Sequence, residues 1–303
     1  MKNQIVIRLR RIFFTRRFLV KENGFAFFSC LILFFTGLFI WSPCQSVNTS
    51  WVKLYHGPSD GVDYVTAMKL DNAGNVYVTG YSWGGVTKED FLTMRYNRAG
   101  DSLWTKRYDG ANEMDKPTAM VLDRNGNIYV TGYGRFGSYY EYITIKYLST
   151  GDTAWVRRFA MPSSNQYPSG ITVDNSGNVY VAGVKSGGTS FDDYLTIKYY
   201  SSGDTAWARV YDGPGSDYDS AAAVVVDNSG NVYVTGYSMQ NSMEDYLTIK
   251  YNALGDTVWT RRYTRASGSE DEALAMTLDN SGNLLVTGYS ERGAGDFDFL
   301  TIK

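Results

Sequence analysis

Hydrophobic and polar residues alternate in short runs along most of this chain, and turn residues separate the runs. In the fourth of several similar segments the runs are Ser220–Asp227, Asn231–Ser238, Asp245–Tyr251 and Thr257–Tyr263. Runs of this length between Gly, Asn and Asp clusters predict antiparallel β-strands joined as a meander, named strands a, b, c and d here in chain order. No apolar period of 3.6 residues is sustained after residue 46, so no helix is expected there.

This four-strand unit is repeated five times. The word DNSGNVYV and its variants begin at aspartates 51 to 53 residues apart: Asp71, Asp123, Asp174, Asp227 and Asp279. A tryptophan repeats at the same interval: Trp51, Trp104, Trp155, Trp207 and Trp259. Repeats of this length made of short strands are typical of β-propellers, in which each repeat supplies one blade.

The count predicts an all-β, five-bladed β-propeller of four-stranded antiparallel blades over residues 47–303. The approximate repeats are 51–103, 104–154, 155–206, 207–258 and 259–303. After residue 46 the chain starts on a d strand, 51–56, and its last run, 299–303, is a c strand. Pairing of these two would complete the last blade and close the ring without a free sheet edge. A piece of a longer propeller with more blades is the alternative.

Two repeated sets of residues are expected to be structural. The five tryptophans are expected to pack between blades, because five equivalent positions suit packing better than sugar binding. In each turn between strands a and b, the Asp side chain can accept backbone N–H groups and the Gly can adopt positive φ. The turn pairs are Asp71 and Gly74, Asp123 and Gly126, Asp174 and Gly177, Asp227 and Gly230, and Asp279 and Gly282. One carboxylate per turn is too few for an EF-hand-like calcium loop.

The first 46 residues differ from the repeats. Seven basic residues within positions 2–21 precede an apolar run from Gly24 to Trp41. A basic flank followed by such a run predicts an export signal, cleaved after Ser46, or a retained hydrophobic helix outside the propeller. Residues 47–303 are therefore expected to be secreted, periplasmic or in the cell envelope, with contact to the inner membrane only through residues 24–41 if these are retained.

Charge and rare residues exclude several functions. Seven of the 29 basic residues and one of the 31 acidic residues lie in positions 1–46, which leaves a net charge of −8 for the rest. An acidic surface argues against nucleic-acid binding. His56 is the only histidine, and Cys30 and Cys44 both precede the repeats. A Ser-His triad, a disulfide framework and a Cys/His metal site are therefore not expected in the repeats.

The repeated words resemble a known family. DNSGNVYVTGYS (227–238) and DYLTIKYNALGDTVWTRRY (245–263), with their copies, resemble the bacterial SBBP-type β-propeller repeat from Trp51 to Lys303. Residues 167–183 also resemble an NHL repeat, and residues 252–259 resemble the tryptophan-docking repeat of quinoprotein propellers. The SBBP resemblance implies an exported propeller and carries no catalytic residues. It implies seven blades, whereas five are countable in this chain.

The loops on one face are the candidate binding surface. The a–b and c–d turns are nearly identical in every repeat, whereas the d–a and b–c loops differ. In a meander the two variable sets lie on the same face, and binding residues are concentrated on such loops. Aromatic residues predicted to contact a protein or glycan there are Trp83, Phe136, Tyr139 and Tyr140. Covering of neighbouring blades is the alternative role, and the protein is expected to be a monomer.

A set of acidic residues adjoins the same face. Just before strand a stand Asp63, Asp115, Gln166, Asp219 and Asp271. If strand a lines the axis, they would surround the channel mouth and could hold Ca²⁺ or another ligand through oxygen atoms. The structural alternative is that each caps its own loop. No other cofactor is expected, because no set of cofactor ligands is visible.

The sequence therefore predicts a non-catalytic extracytoplasmic binding or scaffold propeller. The alternative is a carbohydrate-active enzyme of the five-bladed glycosidase type, which would use the channel carboxylates as acid and base.

Overall fold

The computed structural model describes residues 49–303 apart from 111–112, 188–190, 215–216, 267 and 294. The predicted signal or anchor, residues 1–46, lies outside the described residues. Thr49–Lys303 form one unit through their mutual contacts. Within the described residues, no helix is both long and apolar enough to cross a bilayer.

Nineteen strands in this part of the chain form five antiparallel meanders. The first sheet contains β1 (Asp63–Leu70), β2 (Val76–Trp83), β3 (Glu89–Tyr96) and β4 (Ser102–Tyr108). The second contains β5 (Asp115–Leu122), β6 (Ile128–Phe136), β7 (Tyr139–Tyr147) and β8 (Thr153–Phe159). The third contains β9 (Asn165–Val173), β10 (Val179–Ser186), β11 (Asp193–Tyr199) and β12 (Thr205–Tyr211). The fourth contains β13 (Asp219–Val226), β14 (Val232–Gln240), β15 (Met243–Tyr251) and β16 (Thr257–Tyr263). The fifth has three strands, β17 (Asp271–Leu278), β18 (Leu284–Gly293) and β19 (Asp296–Ile302).

The predicted strands of the fourth repeat agree with β13 to β16 except at the connection between b and c. There the two strands continue until Gln240 pairs with Met243. Asn241 and Ser242 form the whole turn, with φ values of 55° and 64°. Positive φ at both central positions is the geometry of a type I′ hairpin. In the second sheet Phe136 pairs with Tyr139 in the same way, so Tyr139 and Tyr140 lie on strand β7 and not in a loop.

Each a–b turn is held by its aspartate. Asp174 Oδ1 accepts the backbone N–H groups of Ser176 and Asn178, both at 2.9 Å. Its Oδ2 accepts the Asn178 side-chain amide and the Tyr180 hydroxyl, at 2.8 and 3.0 Å. Gly177 has a φ of 80°, in the left-handed region that glycine adopts most easily. Because four protein donors saturate the carboxylate, this turn offers no free ligand to a cation.

Strand a bulges opposite a glycine of strand b in every sheet. A Cβ on Gly183 would lie 2.2 Å from the carbonyl oxygen of Tyr167, where no real side-chain atom fits. The equivalent strand-b glycines of the other four sheets would bring a Cβ within 1.8 to 2.1 Å of the matching carbonyl oxygen: Gly80, Gly132, Gly236 and Gly288. The glycine of the repeated word is therefore required by the close approach of the neighbouring backbone.

Neighbouring sheets interlock through a buried aromatic residue on strand c. Tyr194 is fully buried and its hydroxyl donates to the Leu247 carbonyl of the following sheet, 3.3 Å away. The same contact recurs from Tyr142 to Leu195 and from Tyr246 to Leu300. Phe299 occupies this position in the last sheet and is 99% exposed. The outer face of the fifth sheet is thus uncovered, while the equivalent faces of the second, third and fourth sheets are buried.

Four of the five repeated tryptophans contact a neighbouring sheet, whereas Trp259 contacts Tyr233 of its own sheet, and three of the four do so through an indole hydrogen bond. The indole of Trp155, on β8 of the second sheet, donates to the carbonyl of Ser201 in the c–d turn of the third sheet, at 3.2 Å. Trp207 makes the same bond to Ala253 of the fourth sheet. Trp51 makes it to Arg98 of the first sheet, also at 3.2 Å. Trp155 and Trp207 thereby fasten strand d of one sheet to the turn of the next.

The predicted closure of the ring is not observed. Residues 51–56 form no strand, and β19 pairs with β18 alone among the described strands. Trp51 instead docks on the turn that follows β3, and Tyr55 packs beside Leu92 and Met94 of the same sheet. This docking matches the contact that Trp155 and Trp207 make with the next sheet, and it needs no pairing with residues 299–303.

Candidate functional site

The structure places all five residues of the predicted channel-mouth set at strand-a entrances, and each accepts a backbone N–H from its own loop. The donors are Gly57 for Asp63, Gly110 for Asp115, Met161 for Gln166, Gly213 for Asp219 and Arg265 for Asp271. This is the bond that the capping alternative requires. The described residues contain two groups of three carboxylates that are close enough to share an ion. Each group contains only one member of this set.

Two members of the set do join other carboxylates. Asp115 lies with Asp90 and Asp109, and one oxygen of each residue lies within 4.8 Å of the others. Asp193, Asp212 and Asp219 form a second group with the same spacing. We call these two groups the seam triads, because each combines two residues of one sheet with the first strand-a residue of the next. They lie between the first and second sheets and between the third and fourth.

A basic residue balances part of the charge of each triad. Asp90 Oδ2 accepts from Arg107 Nη1 at 2.6 Å, and Asp193 Oδ2 accepts from Lys185 Nζ at 2.6 Å. The equivalent acidic residues of the other sheets also have a basic partner: Glu141 with Arg158, Asp245 with Arg262, and Asp298 with Arg265. The acid at this position of strand c is thus part of a recurring ion pair.

Asp115 is a buried acid with a strongly raised pKa. It is fully buried, its Oδ2 accepts the Gly110 N–H at 2.5 Å, and its Oδ1 has no hydrogen-bond partner. Burial raises the pKa of Asp115 to about 7, and the negative charges of Asp109 and Asp90 act in the same direction. Burial also raises the pKa of Asp219, whose Oδ1 likewise has no partner.

The other two seams lack a third carboxylate. Between the fourth and fifth sheets the equivalent residues are Asp245, Thr264 and Asp271, and the Thr264 hydroxyl donates to Asp245 at 2.7 Å. Between the second and third sheets they are Glu141, Ala160 and Gln166. Sequence reasoning named Asp115 and Asp219 but missed Asp109 and Asp212. The signal was the Tyr-Asp-Gly word after strand d, which occurs only in the two repeats that carry a triad.

Asp115→Asn is expected to change the pH dependence of stability. The pKa of Asp115 in the folded state, about 7, lies above the unfolded value of about 3.9. The folded state therefore binds more protons between these values, and Asp115 makes stability fall as the pH rises from about 4 to 7. In urea unfolding with EDTA, the variant should gain stability relative to wild type across this window. Parallel pH profiles for the two proteins would contradict the assignment.

The predicted contact aromatics are mostly engaged within the protein. Trp83 packs against Gly61, and the Arg158 guanidinium covers the Phe136 ring at 3.3 Å. The Tyr140 ring lies 5.5 Å from that of Tyr167 on the next sheet. Only Tyr139, at 40%, has a largely exposed ring among the predicted four. The contacts of the other three fit the alternative role, in which these aromatic residues cover neighbouring strands.

Sequence reasoning missed a more exposed aromatic pair. Phe191, in the b–c loop of the third sheet, and Tyr218, in the d–a loop of the fourth, have ring centroids 4.7 Å apart. They are 49% and 41% exposed. The backbone N–H of Asp219 donates to the carbonyl of Asp192 at 2.7 Å and fastens the two loops together. The pair was missed because its two residues come from different loops and meet only when those loops adjoin.

The opposite face carries two clefts between consecutive a–b turns. Their volumes are about 330 and 510 Å³, and Asp123 lines both. Asp123 is saturated by Asn125, Asn127 and Tyr129, as Asp174 is in its own turn. Asp123 therefore offers these clefts no unsatisfied polar group.

The meandering sheets, their docking tryptophans and their interlocking strand-c residues are those of a β-propeller. The family model of the SBBP β-propeller repeat matches residues 51–86, 103–136 and 154–187. The chain thus carries SBBP repeats, as its repeated words implied. No curated protein sequence matches the chain.

Several solved structures are similar to the chain at low identity. The gluconolactonase XC5397 from Xanthomonas campestris is 14% identical, with 74% of this chain and 69% of that chain covered and a TM-score of 0.43. Sqt1 from Chaetomium thermophilum is 9% identical, with 73% and 55% covered and a TM-score of 0.49, so the chain spans about half of its length. The endo-arabinase from Bacteroides thetaiotaomicron is 9% identical, with 82% and 96% covered and a TM-score of 0.42. These similarities concern the fold and assign no activity.

Proposed function

We propose that residues 49–303 form a non-catalytic, extracytoplasmic binding module, and that its ligand surface is the face of the d–a and b–c loops. The observation that carries the proposal is the exposed pair Phe191 and Tyr218 on that face. Exposed aromatic residues held together on variable loops favour recognition, because the shared scaffold does not need them. The proposal requires no ring closure, since both loops belong to adjoining sheets.

A glycan is the ligand that this pair fits best. The two rings offer apolar surfaces for the C–H faces of a sugar, and the nearby carboxylates of Asp192 and Asp217 are acceptors for its hydroxyl groups. The bond between Asp219 and Asp192 fixes the two loops before a ligand arrives. Such preorganisation reduces the entropy lost on binding.

Three of the four channel carboxylates that the enzymatic alternative would use are buried, and only Asp63 is exposed. A glycosidase needs two carboxyl groups with different pKa values on either side of the scissile bond. Asp115 and Asp90 have contrasting environments, but they are 0% and 1% exposed and cannot reach a sugar. Asp219 and Asp193 are buried to the same extent. This burial supports a binding role over the enzymatic alternative.

The double variant Phe191→Ala/Tyr218→Ala is expected to weaken glycan binding at least about tenfold, because it removes both aromatic anchors. The measurement is titration of the full chain with the best ligand from a glycan array. Tyr200→Ala is the matched control, since Tyr200 is 52% exposed but lies in a c–d turn on the opposite face. Unchanged binding in the double variant, or equal loss in the control, would contradict the proposal. Hydrolysis of the bound glycan would favour the enzyme.

A further inference from the structure

We propose that each seam triad binds one Ca²⁺ ion and thereby joins two neighbouring sheets. The first ion would be held by Asp90, Asp109 and Asp115, and the second by the equivalent Asp193, Asp212 and Asp219. This inference does not depend on glycan binding, and cation binding is measured without a glycan.

The spacing of the carboxylates fits one ion. Within each triad one oxygen of each residue lies within 4.8 Å of the other two. Ca²⁺ binds oxygen at 2.3–2.6 Å, so two of its ligands can lie up to about 5 Å apart. Carboxylates on three separate chain segments suit the flexible coordination of Ca²⁺ better than the strict octahedron of Mg²⁺.

A buried atom without a partner points to a ligand. Asp115 and Asp219 are both fully buried, and the Oδ1 atom of each has no hydrogen-bond partner. A buried acceptor without a hydrogen bond lowers the stability of the folded state. The loss is greater for a carboxylate that lies beside other negative carboxylates. The backbone N–H that each accepts at Oδ2 leaves Oδ1 to be satisfied by something else. A divalent cation supplies both the missing contact and the missing positive charge.

Each triad also has a route to solvent. Asp109 and Asp212 are exposed, while the other two residues of each triad are buried. An ion can therefore enter past the exposed residue and keep water molecules on that side, as the coordination number of six to eight requires. Because the ligands come from two sheets, the bound ion would stabilise the seam between them.

The stoichiometry of Ca²⁺ binding tests the inference. The full chain is stripped with EDTA and dialysed against ⁴⁵Ca²⁺ at a pH slightly above neutral. We expect two ions for wild type, one each for Asp115→Asn and Asp219→Asn, and none for the double variant. Asp271→Asn is the matched control, because Asp271 has the same position, burial and unpartnered Oδ1 but only two acids in its seam. It should retain both ions.

A second readout separates binding from misfolding. Saturating Ca²⁺, at about 100 times the dissociation constant, should raise the Tm of wild type by about 10 °C, because each of its two sites contributes about 5 °C. Asp109→Asn/Asp212→Asn changes only exposed ligands, so it should fold normally and lose at least about tenfold in Ca²⁺ affinity. The inference is overturned if wild type binds no Ca²⁺, if this variant or the buried double variant binds two ions as tightly as wild type, or if Asp271→Asn loses an ion.

Discussion

Replacing Tyr194 by Ala is expected to lower the free energy of unfolding by about 3–5 kcal/mol, the range for removing a large buried aromatic side chain. Tyr194 is fully buried in the seam between the third and fourth sheets. Its ring lies 6.0 Å from that of Tyr211, and its hydroxyl donates to the Leu247 carbonyl. The variant loses this packing and leaves a cavity in the seam. Urea unfolding followed by tryptophan fluorescence measures the loss.

Two further variants divide this effect into its parts. Tyr194→Phe keeps the ring and removes only the hydroxyl, so it should cost about 1 kcal/mol. Phe299→Ala changes the equivalent residue of the last sheet, which is 99% exposed, and should remain within about 0.5 kcal/mol of wild type. A large loss in Phe299→Ala would mean that the outer face of the fifth sheet is covered in solution. A small loss in Tyr194→Ala would contradict the interlocked seam.

Replacing Gly183 by Ala is expected to cost about 3 kcal/mol, at the upper end of the range for overpacking. The added Cβ would lie 2.2 Å from the Tyr167 carbonyl oxygen, 2.6 Å from Pro168 Cα and 2.5 Å from the Tyr142 hydroxyl. Two of these neighbours are backbone atoms on the bulged strand β9 and cannot rotate away. The strand must therefore shift, and its pairing with β10 weakens. The same urea experiment measures the change.

Gly170→Ala is the control for this prediction. Gly170 lies on the same pair of strands, opposite Ala182. A Cβ there would be 3.4 Å from Ala223 Cα, an ordinary contact, so the variant should be nearly neutral or slightly stabilised. Equal losses in the two variants would show that glycine is needed for backbone freedom in general and not for the bulge.

The fold was largely predictable because the same pattern of strands and turns occurs in five repeats. Alternation and turn residues located the strands, and β16 matches the predicted run Thr257–Tyr263. The hairpin at Asn241 and Ser242 was taken for a longer loop, since no Gly marks its positive φ values. The bulge opposite Gly183 left no sign except the glycine itself, because it results from a carbonyl on another strand.

The candidate sites were less predictable because they combine residues from different repeats. Asp115 and Asp219 were found by their shared position, but their partners Asp109 and Asp212 occur in only two repeats. Phe191 and Tyr218 occur once each and meet only when two loops adjoin. A search by periodicity finds residues that occur in every repeat. Both candidate sites depend on residues that most repeats lack.

The three acids of the first triad lie on one continuous stretch of chain, from Asp90 to Asp115, and those of the second lie between Asp193 and Asp219. A gene duplication or deletion with its breakpoints in strand b would move such a stretch as a whole. Recombination between copies could therefore add or remove a complete set of ligands in one event, without a single point mutation. Breakpoints in the d–a loop would instead separate the last acid from the other two.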